Sequence, residues 1–141
     1  MTLWEKKRLK LNYKIGQKVS KKFSITDEKV KQFAQTTGDK NPIHLNEEYA
    51  KTTLFKKRIS HGMLVASHIS NVLANDLPGP GTIYLSQTLT FKKPVFIDDN
   101  ILVEVEIIKI RDDKNIMTLV TNCYNDKSEL VIEGESCVKF S

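Results

Sequence analysis

Cysteine is scarce: the 141-residue chain has two, Cys123 and Cys137. That is too few for the disulfide framework of a small secreted domain, so a reduced, cytoplasmic protein is the expectation. Six glycines and four prolines exclude a collagen-like or low-complexity chain. Long apolar runs are missing too. The longest, such as Met63-Leu64-Val65-Ala66, fall far short of the ~20 residues that span a bilayer, so no membrane role is expected. The basic N-terminus has no apolar segment behind it, unlike a secretory signal. Zinc-finger spacing, a P-loop and an RNP-like aromatic motif are all missing, which argues against nucleic acid as a partner. What is present, 40% hydrophobic and 28% charged residues, suits one globular domain. A chain of this length buries roughly 65–70% of its unfolded surface. No repeat or linker divides it, and residues 15–141 read as a single unit behind a basic arm, residues 1–14.

The net charge of +5 is uneven. Residues 1–22 hold eight Lys/Arg (Lys6, Lys7, Arg8, Lys10, Lys14, Lys18, Lys21, Lys22) against Glu5, while the remainder is slightly acidic. Two readings stand: attraction of a polyanion, or a solvated terminal arm.

Residues 17–25 read as a first strand. Thr26, followed by Asp27 and Glu28, has the chemistry of a helix start. Val30, Phe33, Ala34 and Thr37 then recur at helical spacing, and Gly38 is placed to end the helix. Residues 38–46 read as an ordered loop, because Pro42 lacks an N–H and biases Asn41 away from helical backbone. Asn46 can cap a second short helix to about Thr53. Residues 62–75 form the longest helical stretch, with Met63, Ala66, Ile69, Ser70 and Leu73 on one face and Leu64, Val65 and Val72 widening the apolar character. That pattern suits a helix buried on more than one side.

After Leu77-Pro78-Gly79-Pro80-Gly81 the period changes to two. Ile83, Leu85, Leu89 and Phe91 alternate with polar residues, Gln87 being the exception on the apolar face. Stretches near 101–108, 116–123 and 130–140 alternate likewise, separated by turn-forming residues. These strands predict an antiparallel meander. The α+β pattern has one economical solution, a sheet wrapped around the single long helix.

Asp39, Asn41 and His44 sit within one loop. A carboxylate and an imidazole that converge can hold a water and manage its protons near neutral pH. The same string is also a good turn former. Ser60-His61-Gly62-Met63 opens the long helix, where N–H groups lack helical partners. Gly62 either offers its N–H to a polarised carbonyl or merely permits close packing. His61 either shapes that turn or caps the helix.

These residues carry a resemblance. Phe33-Ala-Gln-Thr-Thr-Gly38-Asp39-Lys-Asn41-Pro42-Ile43-His44, followed by Ala50, resembles the signature of the MaoC-like (R)-specific enoyl-CoA hydratases. Arg58-Ile-Ser-His61-Gly62-Met63, Leu77-Pro-Gly-Pro-Gly-Thr-Ile-Tyr84-Leu-Ser-Gln87 and Phe91-Lys-Lys-Pro94-Val are similar to further stretches of that family. The resemblance runs from about Ile15 to the C-terminus. It implies a hot-dog fold, an antiparallel sheet around a long central helix, as a homodimer or higher homo-oligomer. It implies reversible syn hydration of a trans-2-enoyl-CoA to an (R)-3-hydroxyacyl-CoA. Asp39 and His44 match the catalytic pair, and Asn41 would orient it or the water. Gly62 would bind the thioester oxygen, and Ser70 would supply a supporting hydrogen bond. The implied partner is the acyl-CoA substrate, without a metal or organic cofactor. Lys56-Lys57-Arg58 would attract the phosphates of coenzyme A, or would be plain solvated surface. An acyl-carrier-protein dehydratase, a thioesterase and a non-catalytic acyl-CoA-binding protein are the alternatives.

Overall fold

The structure, a computed structural model, describes residues 2, 3 and 13–141. Lys6, Lys7, Arg8 and Lys10 of the basic arm lie outside the described residues. Strand β1 (Lys18–Ser24) leads into helix α1 (Asp27–Thr37). The Thr26 side chain accepts a hydrogen bond from the Lys29 amide, and Asp27 and Glu28 occupy the first turn. Gly38, at φ 80°, turns the chain out of the helix while its N–H bonds to the Ala34 carbonyl. That left-handed backbone is one glycine adopts at no steric cost.

The segment expected as a loop contains a helical turn, α2 (Pro42–Leu45), followed by α3 (Glu47–Lys51). Pro42 does not prevent it. At the first position of a helix the N–H it lacks would have no partner anyway. Asn41 and Asn46 cap the two turns by accepting from the Ile43 and Tyr49 amides.

Helix α4 (Gly62–Asn75) spans the residues its periodicity indicated. It buries Leu64, Val65, Ala66, His68, Ile69, Val72 and Leu73. Opposite lie the inward residues of the sheet, among them Ile101, Val103, Val105, Ile107, Met117 and Leu119, each fully buried. Each such side chain contributes about 1.5–3 kcal/mol on leaving water. Met63 and Ser70, expected on the same face, remain exposed.

Strands β2 (Ile83–Phe91), β3 (Asn100–Arg111), β4 (Ile116–Tyr124) and β5 (Leu130–Lys139) complete one antiparallel sheet of order β1-β3-β4-β5-β2. The predicted meander holds for β3 to β5 and fails for β2, which pairs with β5 at the far edge. The cause lies in residues 92–99, which cross the molecule instead of turning back. Their backbone bonds are distributed along the way: Lys92 N–H to the Val131 carbonyl at 2.8 Å, Ser60 N–H to the Val95 carbonyl at 2.7 Å, and Asp98 N–H to the Ile25 carbonyl at 2.7 Å. This strap bridges to Ile59 through Phe96, so the crossing also fixes the segment that enters α4.

Gln87, the polar exception in β2, has a structural explanation. Its amide oxygen accepts from the Ser136 and Tyr84 hydroxyls, and its amide nitrogen donates to the Thr121 hydroxyl at 3.0 Å. Ser136 and Thr121 are both fully buried. Gly134 leaves the room: a Cβ there would stand 2.8 Å from Gln87 Nε2.

Candidate active site

Three segments converge on one spot. The turn after α1 carries Asp39, α2 carries His44, and the chain entering α4 carries His61 and Gly62. One donor atom on each of Asp39, His44 and His61 lies within 4.8 Å of the other two. The two imidazole rings lie 4.0 Å apart between centroids, and Phe33 packs on His61 at 4.8 Å. The spacing of Asp39 and His44 thus brings a donor atom of each within 4.8 Å of the other, with His61 as an added member.

The hydrogen bonds set the tautomers. His44 Nδ1–H donates to the Ile59 carbonyl at 2.7 Å, which leaves Nε2 as a lone pair. His61 Nε2–H donates to the Asp39 carbonyl at 2.9 Å, which leaves Nδ1 as a lone pair. His61 is 2% exposed, and among the described residues its Nδ1 is the buried side-chain N or O atom that has no partner. Burial holds the His44 ring below the ordinary pKa of 6.5; the bond to the Ile59 carbonyl opposes it, and the neighbouring His61 adds to it. His44 is therefore neutral, and able to accept a proton, at neutral pH.

Asn41 braces the loop that carries the pair. Its side-chain oxygen accepts from the Ile43 amide, and its own N–H approaches Asp39 Oδ1 at 3.4 Å. Arg58 corrects the expectation of a basic Lys56-Lys57-Arg58 patch. Lys56 and Lys57 are exposed, but Arg58 is 9% exposed and turned inward. Its Nε–H donates to the His44 carbonyl at 2.8 Å and its Nη2 to Asp27 Oδ1 at 2.6 Å. The guanidinium thus ties the start of α1 to the end of α2. Composition alone gave no sign that the third cation of a run faces inward.

A cavity of about 510 Å³ opens beside His44, within the usual range for small-molecule sites. His44, Ser60 and Gly62 meet in its wall with Phe55, Val65, Phe91 and Ile132. Gly62 is the first residue of α4 and its N–H has no partner among the described residues. A Cβ on Gly62 would stand 2.6 Å from the Phe91 ring, so this glycine permits the packing and leaves its N–H open. Ser70 lines a second cavity, of about 520 Å³, with Phe33, Tyr84, Leu85 and Gln87. Met63 borders both cavities. Cys123 is buried, with its thiol pushed up to about 12 by burial, and neither cysteine is paired.

A sheet wrapped about one helix, with an acid–imidazole pair beside the N-terminus of that helix, places the protein among the hot-dog fold proteins. Residues 10–127 match the family model described as MaoC like domain. The chain is 45% identical over 127 residues to the (R)-specific enoyl-CoA hydratase of Aeromonas caviae, covering 89% of this chain and 93% of that protein. It is 41% identical over 125 residues to a mitochondrial 3-hydroxyacyl-[acyl-carrier-protein] dehydratase of Solanum lycopersicum, covering 87% of this chain and 74% of that protein. The solved structure of the A. caviae (R)-hydratase superposes with a TM-score of 0.90 at 42% identity, covering 92% of this chain and 98% of that one. The chain belongs to the MaoC-like dehydratase family.

Proposed function

We propose that this protein is a hydro-lyase, an (R)-specific enoyl-CoA hydratase that adds water reversibly to a trans-2-enoyl-CoA. The observation that carries the reading is the approach of two proton acceptors, Asp39 and His44, within 4.8 Å of each other, with His44 sharing a cavity wall with Gly62, whose N–H is open. A water donates its hydrogens to the Asp39 carboxylate and to His44 Nε2. As its oxygen bonds to the β-carbon, one proton passes to the pair, and the pair delivers one proton to the α-carbon from the same face. The product is the 3-hydroxyacyl thioester, with water added across the double bond and nothing left over. The Gly62 N–H meets the thioester oxygen as negative charge develops there; such a preorganised donor is worth about 3–4 kcal/mol. The chemistry needs no metal or organic cofactor, because the thioester itself makes the α-carbon acidic. Ser70, from the second cavity, supports the acyl group rather than the reacting water.

The working form is a homodimer. The free edge of β2 and its neighbour Met63 expose a continuous apolar surface: Ile83 at 58%, Leu85 at 50% and Met63 at 57%. An unpaired, apolar edge strand calls for a partner, and a second copy offers the same edge. The two unpaired cysteines suit a reducing compartment such as the cytoplasm, and among the described residues no helix is long and apolar enough to cross a membrane.

The test is hydration of crotonyl-CoA, followed by loss of the enoyl thioester absorbance, with the product's chirality determined. The wild type turns over to the (R) product. Asp39→Asn and His44→Gln each lose about 100-fold or more. Near-wild-type rates in both variants, or an (S) product, refute the reading. The likeness to the S. lycopersicum protein favours one second reading, in which acyl carrier protein replaces coenzyme A. Parallel turnover of the enoyl carrier protein decides between the two, and thiol release without hydration would mark a thioesterase.

A further inference from the structure

Asp39, His44 and His61 each bring one donor atom within 4.8 Å of the others, and among the described residues no group donates to His44 Nε2 or His61 Nδ1. His44 and His61 have each given their N–H to a backbone carbonyl, of Ile59 and of Asp39. Asp39 contributes a carboxylate whose one partner among the described residues, the Asn41 amide, stands at a long 3.4 Å. A water has two hydrogens and satisfies two of the three. The buried His61 Nδ1 is the acceptor left over, and an unsatisfied buried acceptor costs about 1–3 kcal/mol. A divalent cation satisfies all three at once.

The surroundings fit such a cation closely. A histidine that ligates a metal almost always donates its other ring nitrogen to a carbonyl or carboxylate, which fixes the tautomer and the ring. Both imidazoles here are held that way. Two imidazoles and one carboxylate make the three-ligand set of an open site, with a fourth position left for water or substrate. Ligand atoms of a tetrahedral zinc site stand roughly 3.3–3.5 Å apart, given bonds of about 2.0–2.2 Å. The donors here lie within 4.8 Å, and Asp39 sits on an exposed turn with room to adjust.

We propose that Asp39, His44 and His61 chelate one divalent transition cation of the zinc type, and that this cation occupies the place of the reacting water and inhibits the enzyme. The inhibition rests on the hydratase reading; the chelation does not. Imidazole donors select zinc, cobalt, nickel and copper, and leave magnesium and calcium to oxygen-rich sites. The cation is no cofactor here, since it ties up the very lone pairs that hold the water.

The experiment uses the full chain without a polyhistidine tag. Co²⁺ titration should raise visible ligand-field bands that saturate at one ion per chain and are displaced by Zn²⁺, while Mg²⁺ does nothing. His61→Gln should weaken the affinity about 100-fold or more, beyond the 10- to 100-fold typical of outer partners. Asp39→Asn, a substitution on an exposed turn that leaves the core untouched, should do the same. It serves as the deciding variant if the melt of His61→Gln reveals a folding defect. Absent bands, or affinity unchanged in Asp39→Asn, overturn the site. In the same preparation, Zn²⁺ at saturating levels should abolish crotonyl-CoA hydration, and a chelator should restore it. Hydration that persists with the site filled overturns the inhibition. Bands in a protein that hydrates nothing, with or without chelator, would sink the hydratase reading and leave the chelating site standing.

Discussion

Replacing Arg58 by methionine tests how the catalytic loop is held. Methionine keeps much of the apolar stem and removes the guanidinium. Two bonds disappear, one to the His44 carbonyl at 2.8 Å and one to Asp27 at 2.6 Å. The first is a charged bond made by a side chain 9% exposed and is worth about 1.5–3 kcal/mol. The second ends on a carboxylate that is 39% exposed and still bonded to Lys31, so solvent screening reduces it to about 0.5–1 kcal/mol. The expected loss is about 2–4 kcal/mol. At roughly 3 °C per kcal/mol for a chain of this size, the melting temperature falls by about 6–12 °C. His44 remains bonded to Ile59 but loses the anchor on its own carbonyl, so kcat should fall about 10- to 100-fold with little change in KM. The pH dependence has a definite sign. Lys31 and Arg58 hold the Asp27 carboxyl below its ordinary 3.8. A depressed carboxylate contributes stability in full above its unfolded pKa and loses it as pH falls through the folded one. The stability gap between wild type and variant at neutral pH should therefore narrow below about pH 4. Thermal melts from pH 7 to pH 3 and steady-state hydration assays provide the readouts. A melting temperature within 2 °C of wild type (about the shift from 1 kcal/mol or less), with unchanged kcat, would refute the clamp.

Two further outcomes follow from the same geometry. Gly62→Ala places a methyl group 2.6 Å from the Phe91 ring; because that ring is half exposed and can yield, the melt should shift little, while kcat/KM for crotonyl-CoA falls about 10-fold or more. Leu85→Lys puts a charge on the apolar edge of β2, and light scattering should show the wild type at twice the 16.1 kDa chain mass and the variant at the chain mass itself; a monomeric wild type would refute the dimer.

Local chemistry was legible in this sequence, and distant pairing was not. Thr26, Gly38 and the 62–75 stripe announced their helices through capping and period, and the structure has them at those residues. The Asp39–His44 spacing likewise needed one rigid turn to bring two groups together, a property of a few adjacent residues. The place of β2 escaped because alternation says which side chains share a face and nothing about which strand lies alongside. Only the backbone bonds of residues 92–99, spread over three distant partners, reveal the crossing. Arg58 and His61 were readable as residue types. Their directions depend on Asp27 and Asp39, which the fold brings near from earlier in the chain.

The polar cluster around Gln87 acts as a key in a lock. Moving β2 by one residue along β5 would turn Gln87 outward and put the shorter Ser86 or Thr88 in its place, withdrawing the amide that bonds Ser136 and Thr121 beneath the sheet. The same strand supplies Phe91 to one cavity and Tyr84 and Leu85 to the other. A single notch midway along that strand therefore sets the height of both walls, and evolution cannot slide one chamber's lining without carrying the other's with it.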